Sequence, residues 1–156
     1  MTPIIEELQK QIGINLINVA PVPWDKIGFH ATCDDGYCTI YYFFIESETG
    51  VISSVNNADV RFKKEWYKVE LSKTKNNLMD LSLSLFEEYK KINPKNKMWQ
   101  AFSFILNKDY NFNIDFEYKN SNEGLLNRKQ WCLKYFNETA FYYYKGLYPD
   151  TTDFIK

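Results

Sequence analysis

His30 is the only histidine in the chain, so any imidazole chemistry would have to run through it. A histidine-based zinc site would need thiolate or carboxylate help to fill a tetrahedral ligand set. Cys33-x4-Cys38 offers two thiolates. These cysteines flank Asp35-Gly36, a two-residue hairpin signal of type I′, a turn in which both central residues take positive φ. With Asp35 and Gly36 as the turn, Asp34 pairs with Tyr37, Cys33 with Cys38, Ala31 with Ile40 and Phe29 with Tyr42. The two-residue period of a strand then puts His30 on the face opposite both cysteines. Cys132 lies far along the chain. The set does not converge, and neither a metal nor a cofactor is expected. A cross-strand Cys33–Cys38 disulfide is geometrically feasible, but free thiols are the expectation for a cytoplasmic protein.

The other chemistry-bearing residues give weaker signals. No G-x-S-x-G elbow surrounds any serine. Six glycines build neither a P-loop nor a G-x-G-x-x-G turn. Glu87 and Glu88 diverge by about 100° on a helix, and with Lys90 and Lys91 they read as a solvated helix face. Asp115 and Glu117 share one face of one strand. Like charges there cost stability unless exposed or met by a cation. They read as a solvent-facing surface and, functionally, as a partner-facing one. Arg128, Trp131 and Tyr135 share a helical face, with the two aromatics inward and the arginine at the edge. Nucleic-acid recognition would add a basic stripe to such aromatics, and the nearby charge is balanced. The plain reading of His30 is a strand residue beside Tyr41. A small enzyme with an unrecognised site around His30 and a carboxylate is the alternative.

The elements that would position these residues can be read in order. Thr2 is an N-cap candidate with Pro3 at the favoured first helical position. Ile5, Leu8 and Ile12 follow at helical spacing. Gly13 weakens or ends that helix, and Pro21 and Pro23 lie beyond any end it could have. Residues 27–46 read as the hairpin and Val51–Val55 as a third strand. Residues 56–72 read as a loop. A helix follows near Lys75–Ile92, closed by Asn93-Pro94. From Met98 two strands appear, the second with Phe112, Ile114, Phe116 and Tyr118 alternating with Asn113, Asp115, Glu117 and Lys119. A polar loop, Asn120–Gly124, leads to a helix near Leu125–Phe136. The pattern is α+β: an antiparallel sheet of about four to six strands with helices packed on one face. Residues 1–156 form a single domain, with 137–156 a C-terminal extension.

Composition bounds the function. Hydrophobic residues make up 45% and charged residues 25%, which suits a globular chain. Aromatics reach 18%, enough to fill a core and leave some for an interface. A net charge of −1 argues against a dedicated nucleic-acid binder. Residues 1–62 hold eight acids against three bases, a local −5 that would attract a basic partner. The start of the chain has the acids Glu6 and Glu7 where a signal peptide has a basic start and an apolar run. The run Ile40–Ile45 is far short of the ~20 residues a membrane helix needs. A cytoplasmic location follows as the expectation, with no membrane and no nucleic acid as partner.

Four segments together resemble the YezG-like immunity proteins (antitoxins) of bacterial toxin systems. They are P-V-P-W-D-K-I at 21–27, L-F-E-E-Y-K-K at 85–91 followed by Trp99, F-N-I-D-F-E-Y at 112–118, and R-K-Q-W-C-L-K-Y-F at 128–136. The resemblance covers roughly residues 1–136. It implies a small cytoplasmic protein without catalysis of its own that binds and blocks a toxin domain, delivered by a neighbouring cell or made by its own. The toxins paired with the family are commonly nucleases. Two departures stand out. The loop Lys108-Asp109-Tyr110-Asn111 lies where the family tends to have a glycine, and an aromatic tail continues past the last motif. The expected partner is therefore the C-terminal nuclease-type domain of a cognate toxin. The candidate toxin-binding residues are Asp34, Asp35, Glu46 and Glu48 at the hairpin ends, Tyr41, Asp115 and Glu117 on a sheet face, and Tyr143, Tyr144, Asp150 and Asp153 in the tail.

Overall fold

The computed structural model of the chain describes residues 2–50, 52–54, 65–119 and 124–136. Tyr143, Tyr144, Asp150 and Asp153 lie outside them. Three helices and one sheet are present among the described residues: α1 (Pro3–Leu16), β1 (Trp24–Asp34), β2 (Tyr37–Glu46), β3 (Ile52–Ser54), α2 (Glu65–Ile92), β4 (Ala101–Asn107), β5 (Phe112–Glu117) and α3 (Arg128–Phe136). The strand order is β3-β2-β1-β4-β5, and every neighbouring pair is antiparallel. This is the expected α+β class.

The hairpin register is the one the sequence dictates, with Cys33 opposite Cys38 and Phe29 opposite Tyr42. The turn differs in type. Gly36 sits at φ 89°, and Tyr110 is the one non-glycine at positive φ among the described residues, so Asp35 stays at negative φ. Those φ signs belong to a type II turn, which spares Asp35 the left-handed region that L-residues avoid. The cysteines form a disulfide, against the expectation of free thiols. The Cys33 N–H donates to the carbonyl of Gln100, just before β4, at 2.8 Å, so toward β2 this residue belongs to the closer, non-hydrogen-bonded kind of pair.

The first face of the sheet carries Ile27, Phe29, Ala31, Tyr42, Phe44, Phe102, Phe104 and Leu106, all buried. It is covered by α1 and α2. The Thr2 hydroxyl caps α1 by accepting the Ile5 N–H at 3.2 Å. Gly13 does not end the helix, because it is where α1 meets the sheet: a Cβ there would lie 3.4 Å from the Phe104 ring. Helix α2 begins well before the expected start, at Glu65. Its stripe of Tyr67, Leu71, Leu78 and Leu85 is buried, but Thr74 and Lys75 interrupt it in sequence, which hid its first turns. Tertiary packing carries a helix across such a gap. Trp99, between α2 and β5, meets Phe86, Tyr89, Phe102 and Phe116.

The third helix departs from the expected layering. Trp131, Cys132 and Phe136 form a second, smaller core with Phe43, Ile52 and Ile105 on the opposite face of the sheet. Gly28 permits this. A Cβ there would lie 2.7 Å from the Phe136 ring and 2.8 Å from Trp131. Helices thus lie on both faces, because β1 and β4 present Gly28 and Ile105 on the second face as an apolar seat.

Candidate partner-binding surfaces and the buried His30 cluster

The residues with the strongest chemical potential are used to seat α3. His30 is 2% exposed. Its Nε2 lies 2.6 Å from Oε2 of Glu117, and its ring stacks on Tyr41 with centroids 4.6 Å apart. The second oxygen of Glu117 accepts the Leu126 N–H at 2.9 Å, just before α3. Trp131 packs edge-on to both His30 and Tyr41 and donates its indole N–H to Ser103 at 2.7 Å. The Arg128 guanidinium lies over the Tyr41 ring at 5.0 Å. Tyr135 donates to Asp115 at 2.7 Å, and the Lys26 ammonium donates to the Tyr135 carbonyl.

Burial sets the titration of this cluster. It pushes Tyr41 up, an effect strengthened by the Glu117 carboxylate and opposed by Arg128. It pushes the Cys132 thiol up to about 12. Tyr135 is raised by burial and by the carboxylate of Asp115 beside it. The Lys26 ammonium is lowered by burial. A thiol so raised is no nucleophile at neutral pH. No solvent-reachable imidazole is present for acid–base work, since His30 is enclosed by Tyr41, Glu117 and Trp131. Among the described residues no group of three or more His, Cys, Asp or Glu is placed to hold a metal.

The candidate binding residues therefore divide. Glu117, expected on an outward strand face, is only 9% exposed because α3 and His30 cover it. Glu46 is 6% exposed and accepts the Ser53 hydroxyl at 3.1 Å. Tyr41 is held between His30, Trp131 and Arg128. A docked partner would not reach Glu117 or Glu46 without displacing α3 or β3, and Tyr41 is only partly exposed. Asp34, Asp35, Glu48 and Asp115 are exposed.

The exposed acids lie at separate places. Asp34 and Asp35 are at the β1–β2 turn. Cavities of about 440 Å³ and 450 Å³ open there, both lined by Asp34, Phe86 and Gln100. Asp35 pairs with Lys90 of α2 at 2.8 Å, which lowers its carboxyl and raises the lysine. Tyr37 is exposed beside them. Glu48 is at the far end of the hairpin, roughly 30 Å away for ten strand steps of about 3.3 Å. No single patch joins them.

The far end holds two aromatics that residue-type reasoning about charge passed over. Trp24 donates its indole N–H to the Ile17 carbonyl at 3.3 Å and meets Tyr110 with ring centroids 6.3 Å apart. Tyr110 stands at φ 67° in the β4–β5 loop. The departure Lys108-Asp109-Tyr110-Asn111 was the one sequence signal for this place.

No helix among the described residues is long and apolar enough to cross a membrane. A family model of immunity proteins matches residues 5–147, a span that takes in Phe141–Tyr144 beyond the last of the four segments. The chain belongs to that family, the YezG-like immunity proteins. Membership implies a toxin as partner. Comparison with curated proteins gave no match.

Proposed function

We propose that this protein neutralises a cognate bacterial toxin by forming a stoichiometric complex with it, that the toxin domain is a nuclease, and that the complex forms in the cytoplasm during competition between neighbouring cells. The observation that carries the reading is family membership across residues 5–147. The enclosure of His30 and Glu117 supports inhibition by binding, because the chain's sole imidazole is spent on seating α3. The nuclease assignment is supported by charge. A nuclease is basic where it grips phosphate, and an exposed carboxylate such as Glu48 is suited to meet such a surface. Complementary charge speeds encounter, and aromatic side chains supply anchors.

Co-expression with the C-terminal domain of the toxin encoded beside it tests the reading. Growth rescue together with an equimolar complex is the expected result. A toxin that kills in the presence of this protein, with no complex, contradicts it.

A further inference from the structure

Resting on that reading, we propose that the toxin-facing surface is the end of the sheet built from Trp24, Tyr110 and Phe112, and that it docks on a lysine- or arginine-bearing protein surface. Three segments are stitched together there. The Lys108 N–H donates to the Asp25 carbonyl at 3.0 Å, and the Ser47 N–H donates to the Pro23 carbonyl at 3.0 Å. The Ser47 hydroxyl donates to the Asp25 carboxylate at 2.8 Å. The rim is therefore set by β-structure and not by an isolated loop.

On this rim the aromatics are accessible, and the Phe112 ring also stacks on that of buried Phe104 with centroids 4.6 Å apart. Tyr110 is 62% exposed and Phe112 is 40% exposed. Trp24 is half-buried beneath Tyr110. Tyrosine and tryptophan held in place by a scaffold are the residues that most often dominate protein interfaces, because they bury much area at small entropic cost. The charges around them select the partner. Among the described residues, Asp25, Glu48 and Asp109 are carboxylates at this rim and Lys108 is a cation there, lying 4.0 Å from Asp25. Lys26, the other nearby base, is turned away to the Tyr135 carbonyl and the Phe136 ring. The balance is acidic, so the complementary surface is cationic.

The β1–β2 turn end is the weaker candidate. Its cavities are lined by Lys90, Lys95 and Lys119 as well as Asp34 and Asp35, and Lys90 already neutralises Asp35.

The test uses the full chain and the purified C-terminal domain of the toxin encoded beside it, with affinity and association rate measured at low and high salt. Tyr110→Gly removes the ring from a left-handed position that glycine occupies freely, so its melting temperature is unchanged or raised while affinity falls about tenfold or more. Glu48→Lys/Asp109→Lys slows association at low salt by about tenfold. Asp34→Lys/Asp35→Lys, at the opposite end, changes affinity by less than about twofold. A wild-type complex that tolerates the first two variants, or is lost with the third alone, overturns the surface and leaves the immunity reading standing. Absence of any wild-type complex overturns both.

Discussion

Nε2 of His30 on β1 and Oε2 of Glu117 on β5 lie 2.6 Å apart, with β4 between their strands. The pair is enclosed, and the other oxygen of Glu117 holds the Leu126 N–H at the entrance to α3. Two elements distant in sequence are thereby tied to one carboxylate. Removing one partner of such a pair leaves a buried polar group without its complement. Glu117→Ala lowers stability by about 3 kcal/mol in urea unfolding. Glu117→Gln keeps an acceptor for Leu126 and loses about half as much. Equal losses from the two variants would show that the acceptor kept for Leu126 contributes nothing.

Gly28 is the second requirement of the same interface. With Cβ contacts of 2.7–2.8 Å to Phe136 and Trp131, Gly28→Ala forces α3 away from the sheet and costs about 1–3 kcal/mol. Quenching of Trp131 by acrylamide rises in the variant. Unchanged quenching and stability would mean that α3 does not seat there.

Cys132 gives a pH signature. Its folded value, about 12, is raised above the ordinary thiol value of 9.0 by burial. The folded state therefore favours the protonated thiol. That contribution is fully present below about pH 9 and is lost as pH rises toward 12. Over this window the wild type loses about 1.4 kcal/mol of stability per pH unit more than Cys132→Ala, whose side chain does not titrate. Parallel profiles for the two proteins would refute the assignment. Below pH 9 the thiol also resists alkylation until the protein is unfolded.

The Cys33–Cys38 disulfide closes a short loop across the β1–β2 turn. Cross-linking so few residues contributes about 2 kcal/mol by the chain-entropy argument. Reductant lowers the wild-type unfolding midpoint accordingly and leaves Cys33→Ser/Cys38→Ser unchanged. A midpoint indifferent to reductant would remove the bond from the stability account.

Much of the fold follows from local rules. Asp35-Gly36 fixes the hairpin register, because shifting a strand by one residue turns every side chain to the other face. The alternation from Phe112 to Tyr118 marks β5. Three features stay hidden for physical reasons. The first turns of α2 are masked by Thr74 and Lys75, which break an apolar stripe that packing against α1 completes. The position of α3 depends on Gly28, whose lack of a side chain is informative only once Phe136 is known to lie against it. The burial of Glu117 depends on His30, and nothing in a strand's alternation reveals that an outward carboxylate is covered by a helix arriving later in the chain. The site suffered most from this. Of the acids chosen by sequence, those that remain accessible lie at separate places, while Tyr110 is marked in sequence by nothing more than the loop departure at 108–111, and its φ of 67° emerges from the structure.

Growth of cells producing the toxin domain encoded beside it, with and without this protein, measures the proposed neutralisation directly when paired with the mass of the purified complex. Full rescue by the wild type and a complex of equal subunit numbers are the expected result, with Tyr110→Gly folded but deficient in both. Killing that continues beside abundant folded protein, with the two chains eluting apart, would contradict it.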